Sequence, residues 1–179
     1  AVIRDKKTAE DTRTLKYVDD RLLTMPAVAL GQVKSEMDYM LELVEENITK
    51  SFAALETGSA EYSAAIAENE AVIDFTNGAL TKFLIELSAV ADAGDERVIG
   101  TYFHVLNDLE RIGDHADNLA GYTRILTGKN IHFSETARKQ IGQMKLVCLQ
   151  ALDDLLKPGM GEVEFLSAVA QMEQKIDDM

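Results

Sequence analysis

The stretch His104-Val105-Leu106-Asn107-Asp108-Leu109-Glu110-Arg111-Ile112-Gly113-Asp114-His115-Ala116-Asp117-Asn118-Leu119-Ala120-Gly121-Tyr122 decides the fold. At 100° per residue, Leu106, Leu109, Ala116 and Ala120 fall on one side of a helix, with Tyr102 one turn upstream. That is a core stripe. Glu110, Asp114 and Asp117 form a second stripe along its edge, together with Asn107. Like charges at i, i+4 repel by a few tenths of a kcal/mol, where Glu–Lys would attract. Such a stripe suits a solvated acidic face, or a hard cation shared by carboxylates one turn apart.

Outward from this stretch the pattern stays helical. The chain has 179 residues, 46% apolar but only 6% aromatic, with no Trp and two prolines. This composition favours long helices, and no alternating β-branched run argues for strands. Pro26 is placed to open a first helix, since its missing N–H would be unpaired there anyway. That helix carries Val33, Met37, Met40, Leu41, Val44, Ile48, Phe52 and Leu55 at three- and four-residue steps and stops at Thr57-Gly58. Ser59 is the expected cap of a second helix, with Tyr62, Ile66, Ile73, Leu80, Leu84 and Leu87 on one face, running out at Ala91–Gly94. Asp95 is the expected cap of a third, ending near Leu126 before the break Thr127-Gly128-Lys129-Asn130. Ser134 opens a fourth, carrying Ile141, Met144, Val147, Cys148, Ala151, Leu152 and Leu155 up to Lys157-Pro158-Gly159. A fifth is expected from Glu162 to Met179.

The first three helices, each about thirty residues or about 45 Å, have short links and must pack antiparallel. Residues 25–127 are therefore expected to form a three-helix bundle. Residues 1–24 form a linker and a short apolar patch, Leu15 to Leu23. The pair Glu70 and Asp74 in the second helix has a counterpart in Glu173 and Asp177. Residues 133–179 thus correspond to the first two helices of a second, similar bundle whose third helix is missing. The apolar seam left open is expected to be covered by a missing helix, another subunit or the segment around Tyr17 to Leu23.

A net charge of −13 argues against nucleic acid, which needs Lys/Arg patches, and against docking on an anionic membrane. No apolar run approaches the length of a membrane span, so no direct insertion is expected. One cysteine excludes an internal disulfide. Cys148 lies in an apolar run and is expected to behave as a small buried hydrophobe. No phosphate-binding loop or nucleophile motif is present. No Glu is followed three residues later by His, which counts against a di-metal carboxylate enzyme on a helical bundle. A structural spacer or dimerisation module without ligand remains open.

Glu110-Arg111-Ile112-Gly113-Asp114-His115-Ala116-Asp117-Asn118-Leu119, preceded by His104-x-x-Asn107-Asp108-Leu109, resembles the signature helix of the PhoU family. The resemblance implies an all-α fold of tandem antiparallel three-helix bundles and a regulatory, non-enzymatic role in phosphate uptake. It also implies metal-binding Glu/Asp-x-x-x-Asp pairs, here Glu110 and Asp114. Glu70 and Asp74 lie beside the core stripe of the second helix, adjacent in a bundle, so four carboxylates could surround one or two cations. Asp117, Asn77 or Asn107 would add oxygen ligands, and Glu173 with Asp177 would be a half-site of the second bundle. Oxygen-only ligation suits Mg, Ca, Mn or Fe(III); the family resemblance points to iron or zinc. His104, Asp108, Arg111 and His115 form i, i+4 pairs on the opposite flank, suited to surface hydrogen bonds, to orienting the ligands or to contacting a partner. Gly113 is expected to let another helix or a ligand approach the backbone, since a mid-helix Gly costs about 1 kcal/mol relative to Ala.

The lead-in Leu15-Lys16-Tyr17-Val18-Asp19-Asp20-Arg21-Leu22-Leu23-x-x-Pro26-Ala27-Val28-Ala29-Leu30 is similar to the segment joining the membrane part of bacterial sodium/phosphate cotransporters to their PhoU-like tail. With Ala1 rather than Met at the start, that origin is expected. The partner would then be the transporter membrane domain, and the chain would be cytosolic and tethered to the inner face of the membrane. The alternative is a free-standing PhoU-type regulator acting on phosphate-transport or signalling proteins. A homodimer fits either case.

Overall fold

The computed structural model describes residues 13–156 and the helical, exposed Gln174. Among residues 13–156, four α-helices follow a short 3-10 helix, Asp20–Thr24: α1 Pro26–Thr57, α2 Ser63–Ser88, α3 Ala93–Gly128 and α4 Glu135–Leu156. No strand occurs among the described residues. The fold class is all-α, as the periodicity required. The fifth helix expected from Glu162 onward lies outside the described residues, and so do Glu173 and Asp177.

The helix ends show which local signals governed. Pro26 is the first residue of α1, and Met25 O accepts from the Val28 and Ala29 amides at 3.0 Å. Gly58 ends α1 with φ +66°, the left-handed conformation that costs glycine least. Ser59 does not cap α2. Its Oγ accepts from the Glu61 amide and holds a tight turn, so α2 starts only at Ser63, with Tyr62 O accepting from Ile66. Nor does Asp95 cap α3. Asp92 Oδ1 takes the Gly94 and Asp95 amides at 2.9 and 3.0 Å, and Asp95 lies in the first turn, where its charge favours the helix dipole. The aspartate earlier in the chain wins because its side chain can reach forward to two orphan amides. α3 closes two residues beyond Leu126. Asn130, at φ 52°, takes the left-handed position, while Ile131 N bonds Leu126 O and Asn130 N bonds Thr127 O. This nested pair of bonds satisfies the last carbonyls. Ser134 Oγ caps α4 through the Ala137 amide.

The chain divides into two compact units, and the division cuts through α1, α2 and α3 rather than between helices. One unit contains the chain up to Val44 with Glu68–Gly113; the other contains Glu45–Ala67 and the chain from Asp114.

In the first unit, Val33, Met40, Val44, Ile73, Leu80, Leu84, Leu87 and Leu106 are fully enclosed. Burying each such side chain contributes roughly 1.5–3 kcal/mol. Leu15, Leu22 and Leu23 pack against this core, and Val18 belongs to it. The N-terminal segment therefore covers α1–α3 of the first unit, not a seam left by α4. Its apolar residues find a complete three-helix surface there.

In the second unit Ile48, Phe52, Leu55, Ile66, Ala116, Ala120 and Leu152 are buried. Asn47 is fully enclosed and donates from Nδ2 to Ile66 O at 3.1 Å, tying α1 to the first turns of α2. α4 lies alongside α1: Lys145 Nζ meets Glu56 Oε2 at 3.0 Å, and Gly142 also faces the Glu56 carboxylate. Cys148 is half-buried, and burial pushes its thiol up from its ordinary value, as expected of a small hydrophobe.

Candidate carboxylate site

The acidic candidates lie where helical spacing puts them, but their environments differ. Leu106, Leu109, Ala116 and Ala120 are buried on α3, so Glu110 and Asp117, beside that stripe, are half-buried and Asp114 is exposed. On α2, Ile73 and Leu80 are buried; Glu70 is half-buried and Asp74 exposed. The half-site expected of a second bundle differs from these in having no described place. Glu173 and Asp177 both fall outside the described residues.

Gly113 explains why Glu70 stands out. A Cβ at Gly113 would lie 2.9 Å from Glu70 Oε2, 3.3 Å from Ile73 Cδ1 and 3.4 Å from Ile73 Cγ2. The absence of a side chain lets α2 press against the α3 backbone. Both Glu70 carboxylate oxygens are shielded from solvent there. A charge removed from water is costly unless compensated. Glu70 is thus the acid among the candidates whose position is built rather than solvated. Further along α2, half-buried Asn77 has its Oδ1 enclosed with no hydrogen-bond partner among the described residues.

The other candidates face water. Asn107, Asp108, Arg111 and His115 are exposed, as is His104. Among the described residues, no three His, Cys, Asp or Glu side chains stand together so as to hold a metal ion. The placement therefore offers pairs of carboxylates one turn apart and one shielded carboxylate at a helix contact, not a preformed cage. Their chemistry is that of hard-cation ligands.

Sequence reasoning missed a second carboxylate. Glu36 is 1% exposed and accepts from two backbone amides, Lys16 N at 3.1 Å and Tyr17 N at 2.7 Å. The signal was present: Glu36 falls on the same face as Val33, Met37 and Met40, a charge within an apolar stripe. His132 bonds Asn130 Oδ1 at 3.2 Å, and both line a cleft of about 150 Å³ that none of the acidic candidates lines.

The model of the PhoU domain matches residues 37–123, from α1 through the signature helix. The chain is 32% identical over 162 residues to a phosphate-specific transport system accessory protein PhoU homolog of Synechocystis, covering 84% of this chain and 67% of that protein. The chain belongs to the PhoU family. It is also similar to the PhoU homolog of Aquifex aeolicus, 27% identical over 136 residues, 71% of this chain and 62% of the relative. PhoU homolog 1 of Thermotoga maritima is 28% identical over 153 residues, 84% and 65%. The chain thus spans about two thirds of the length of these relatives. No solved structure matches it. Among the described residues no helix is long and apolar enough to cross a membrane.

Proposed function

We propose that this PhoU-family chain is a non-catalytic accessory domain of phosphate transport, acting on transport or signalling proteins through its helical surfaces. The observation that carries this reading is the similarity to proteins named as phosphate-specific transport accessory proteins, which extends over most of the chain. It favours a PhoU-type regulator over the tail of a sodium/phosphate cotransporter, for which only the lead-in Leu15–Leu30 speaks. No helix signature of an enzyme needs to be accommodated.

Cations would be held by Glu110 and Asp114 on α3, by Glu70 and Asp74 on α2, and by Asp117, with Asn77 and Asn107 supplying neutral oxygens. Fe, Zn, Mn, Mg and Ca are the candidate ions. A bound cation supplies positive charge that offsets acid–acid repulsion and the desolvation of Glu70.

The regulatory reading is tested by expressing the chain in a bacterium that lacks its own PhoU-type accessory protein. Restored phosphate-dependent control of uptake supports it; no restoration by a stably produced chain refutes it. The cation reading is tested by elemental analysis of protein purified without chelator, beside Glu110→Gln/Asp114→Asn. Stoichiometric Fe, Zn or Mn lost in the variant supports it. No metal, with a melting temperature unmoved by added Mn or Fe, removes it and leaves the acids to water or a basic partner.

A further inference from the structure

Gly113 is buried within α3, and the Glu70 carboxylate of α2 lies against it. A Cβ at Gly113 would stand 2.9 Å from Glu70 Oε2, so the carboxylate occupies space that any other residue would fill with its own side chain. Ile73, one turn further along α2, flanks the same spot at 3.3 Å and is fully enclosed. Both Glu70 oxygens are shielded from solvent there. A glycine inside a helix does not by itself mark such an approach: Gly78 and Gly100 have nothing within 4 Å of a built Cβ.

The position of this cradle on α3 is what matters. Gly113 lies three residues after Glu110 and one before Asp114. Residues three apart on a helix have Cβ atoms about 5–6 Å apart. A carboxylate seated on Gly113 is therefore beside the acidic turn of α3. Helical spacing alone pairs acids within α2 and within α3, but it leaves the acids of the two helices independent. The cradle joins them. Glu70, Ile73, Glu110 and Gly113 all belong to the first compact unit. The donors are carboxylate oxygens, which fit a hard cation held by one or two carboxylates with water completing its shell.

We propose that Gly113 is the positioning residue of the cation site: its missing side chain holds the Glu70 carboxylate of α2 beside Glu110 of α3 and thereby sets the affinity for a hard cation. The inference rests on the cation reading above and adds the residue that joins the acids of the two helices. A methyl at this position turns the Glu70 carboxylate aside and leaves the cation with ligands from α3 alone. Groups that orient metal ligands are typically worth about 10–100-fold in affinity.

The probe is Mn(II) alone, titrated by calorimetry into the full chain after chelator treatment. The wild type is expected to bind, and Gly113→Ala to bind at least tenfold more weakly. Glu70→Gln is expected to lose at least as much. Gly100→Ala, in an open part of the same helix, is expected to bind like the wild type. So is Gly58→Ala, which destabilises the chain to a similar degree, so that lost stability alone does not move the readout. Ile73→Val/Gly113→Ala clears Cδ1 but leaves the methyl against Glu70, and replaces Gly113→Ala if that chain does not fold. No Mn(II) binding by the wild type overturns the cation reading and this inference with it. With the wild type binding, three results overturn this inference alone. Gly113→Ala binds as tightly as the wild type; Glu70→Gln does so; or Gly58→Ala loses as much affinity as Gly113→Ala.

Discussion

Replacing Gly113 with alanine sets two effects against each other. A mid-helix Gly→Ala change gains about 0.5–1 kcal/mol, because glycine loses more backbone freedom on folding. Against this stands the new methyl, 2.9 Å from Glu70 Oε2 and within 3.4 Å of two atoms of Ile73. The carboxylate is the end of a flexible side chain and can turn. Ile73 is fully enclosed and cannot move without disturbing the close-packed core around it. Overpacking of this kind costs about 1–3 kcal/mol. The steric effect wins, and Gly113→Ala is expected to destabilise by about 1 kcal/mol. Gly78 and Gly100, in the interiors of α2 and α3, have nothing within 4 Å of a built Cβ. There the entropic gain stands alone, and each alanine is expected to stabilise by about 0.5–1 kcal/mol. All three glycines lie in the same compact unit, so urea denaturation followed by circular dichroism compares them directly. Glu70→Ala removes the shortest contact, and in that background Gly113→Ala is expected to cost less. If Gly113→Ala stabilised the chain as much as Gly100→Ala, the close approach of α2 to α3 would be refuted.

Asn47→Ala leaves Ile66 O without its buried donor and opens a small void, so a loss of about 2–3 kcal/mol in urea denaturation is expected. Asp92→Ala removes the acceptor for two amides at the start of α3 and is expected to cost about 1 kcal/mol, whereas Asp95→Asn should change stability by only a few tenths, both read by thermal melting. Gly58→Ala places a Cβ in the left-handed conformation and is expected to cost about 1 kcal/mol, measured the same way. Because burial raises the Cys148 thiol, less thiolate is present at a given pH; alkylation at pH 8 is expected to be slower than in the urea-unfolded chain and to rise as pH increases.

The sequence by itself determined the helices. Apolar steps of three and four, Pro26, Gly58 and Ser134 all express local physics, and the structure places helix ends beside them. It also determined the family, because the signature helix is one continuous stretch. Its errors at Ser59 and Asp95 were local competitions, where a turn or an earlier aspartate took the amides first. Tertiary structure decided what periodicity cannot carry. A helical stripe says that a face is covered but not by what, since the partner lies tens of residues away. So the burial of Glu36 and Asn47, the packing of the N-terminal segment on the first core, the place of α4 beside Glu56 and the seating of Glu70 on Gly113 required the fold. In each case a polar group or a missing side chain matters only because a distant segment of the chain comes to lie against it.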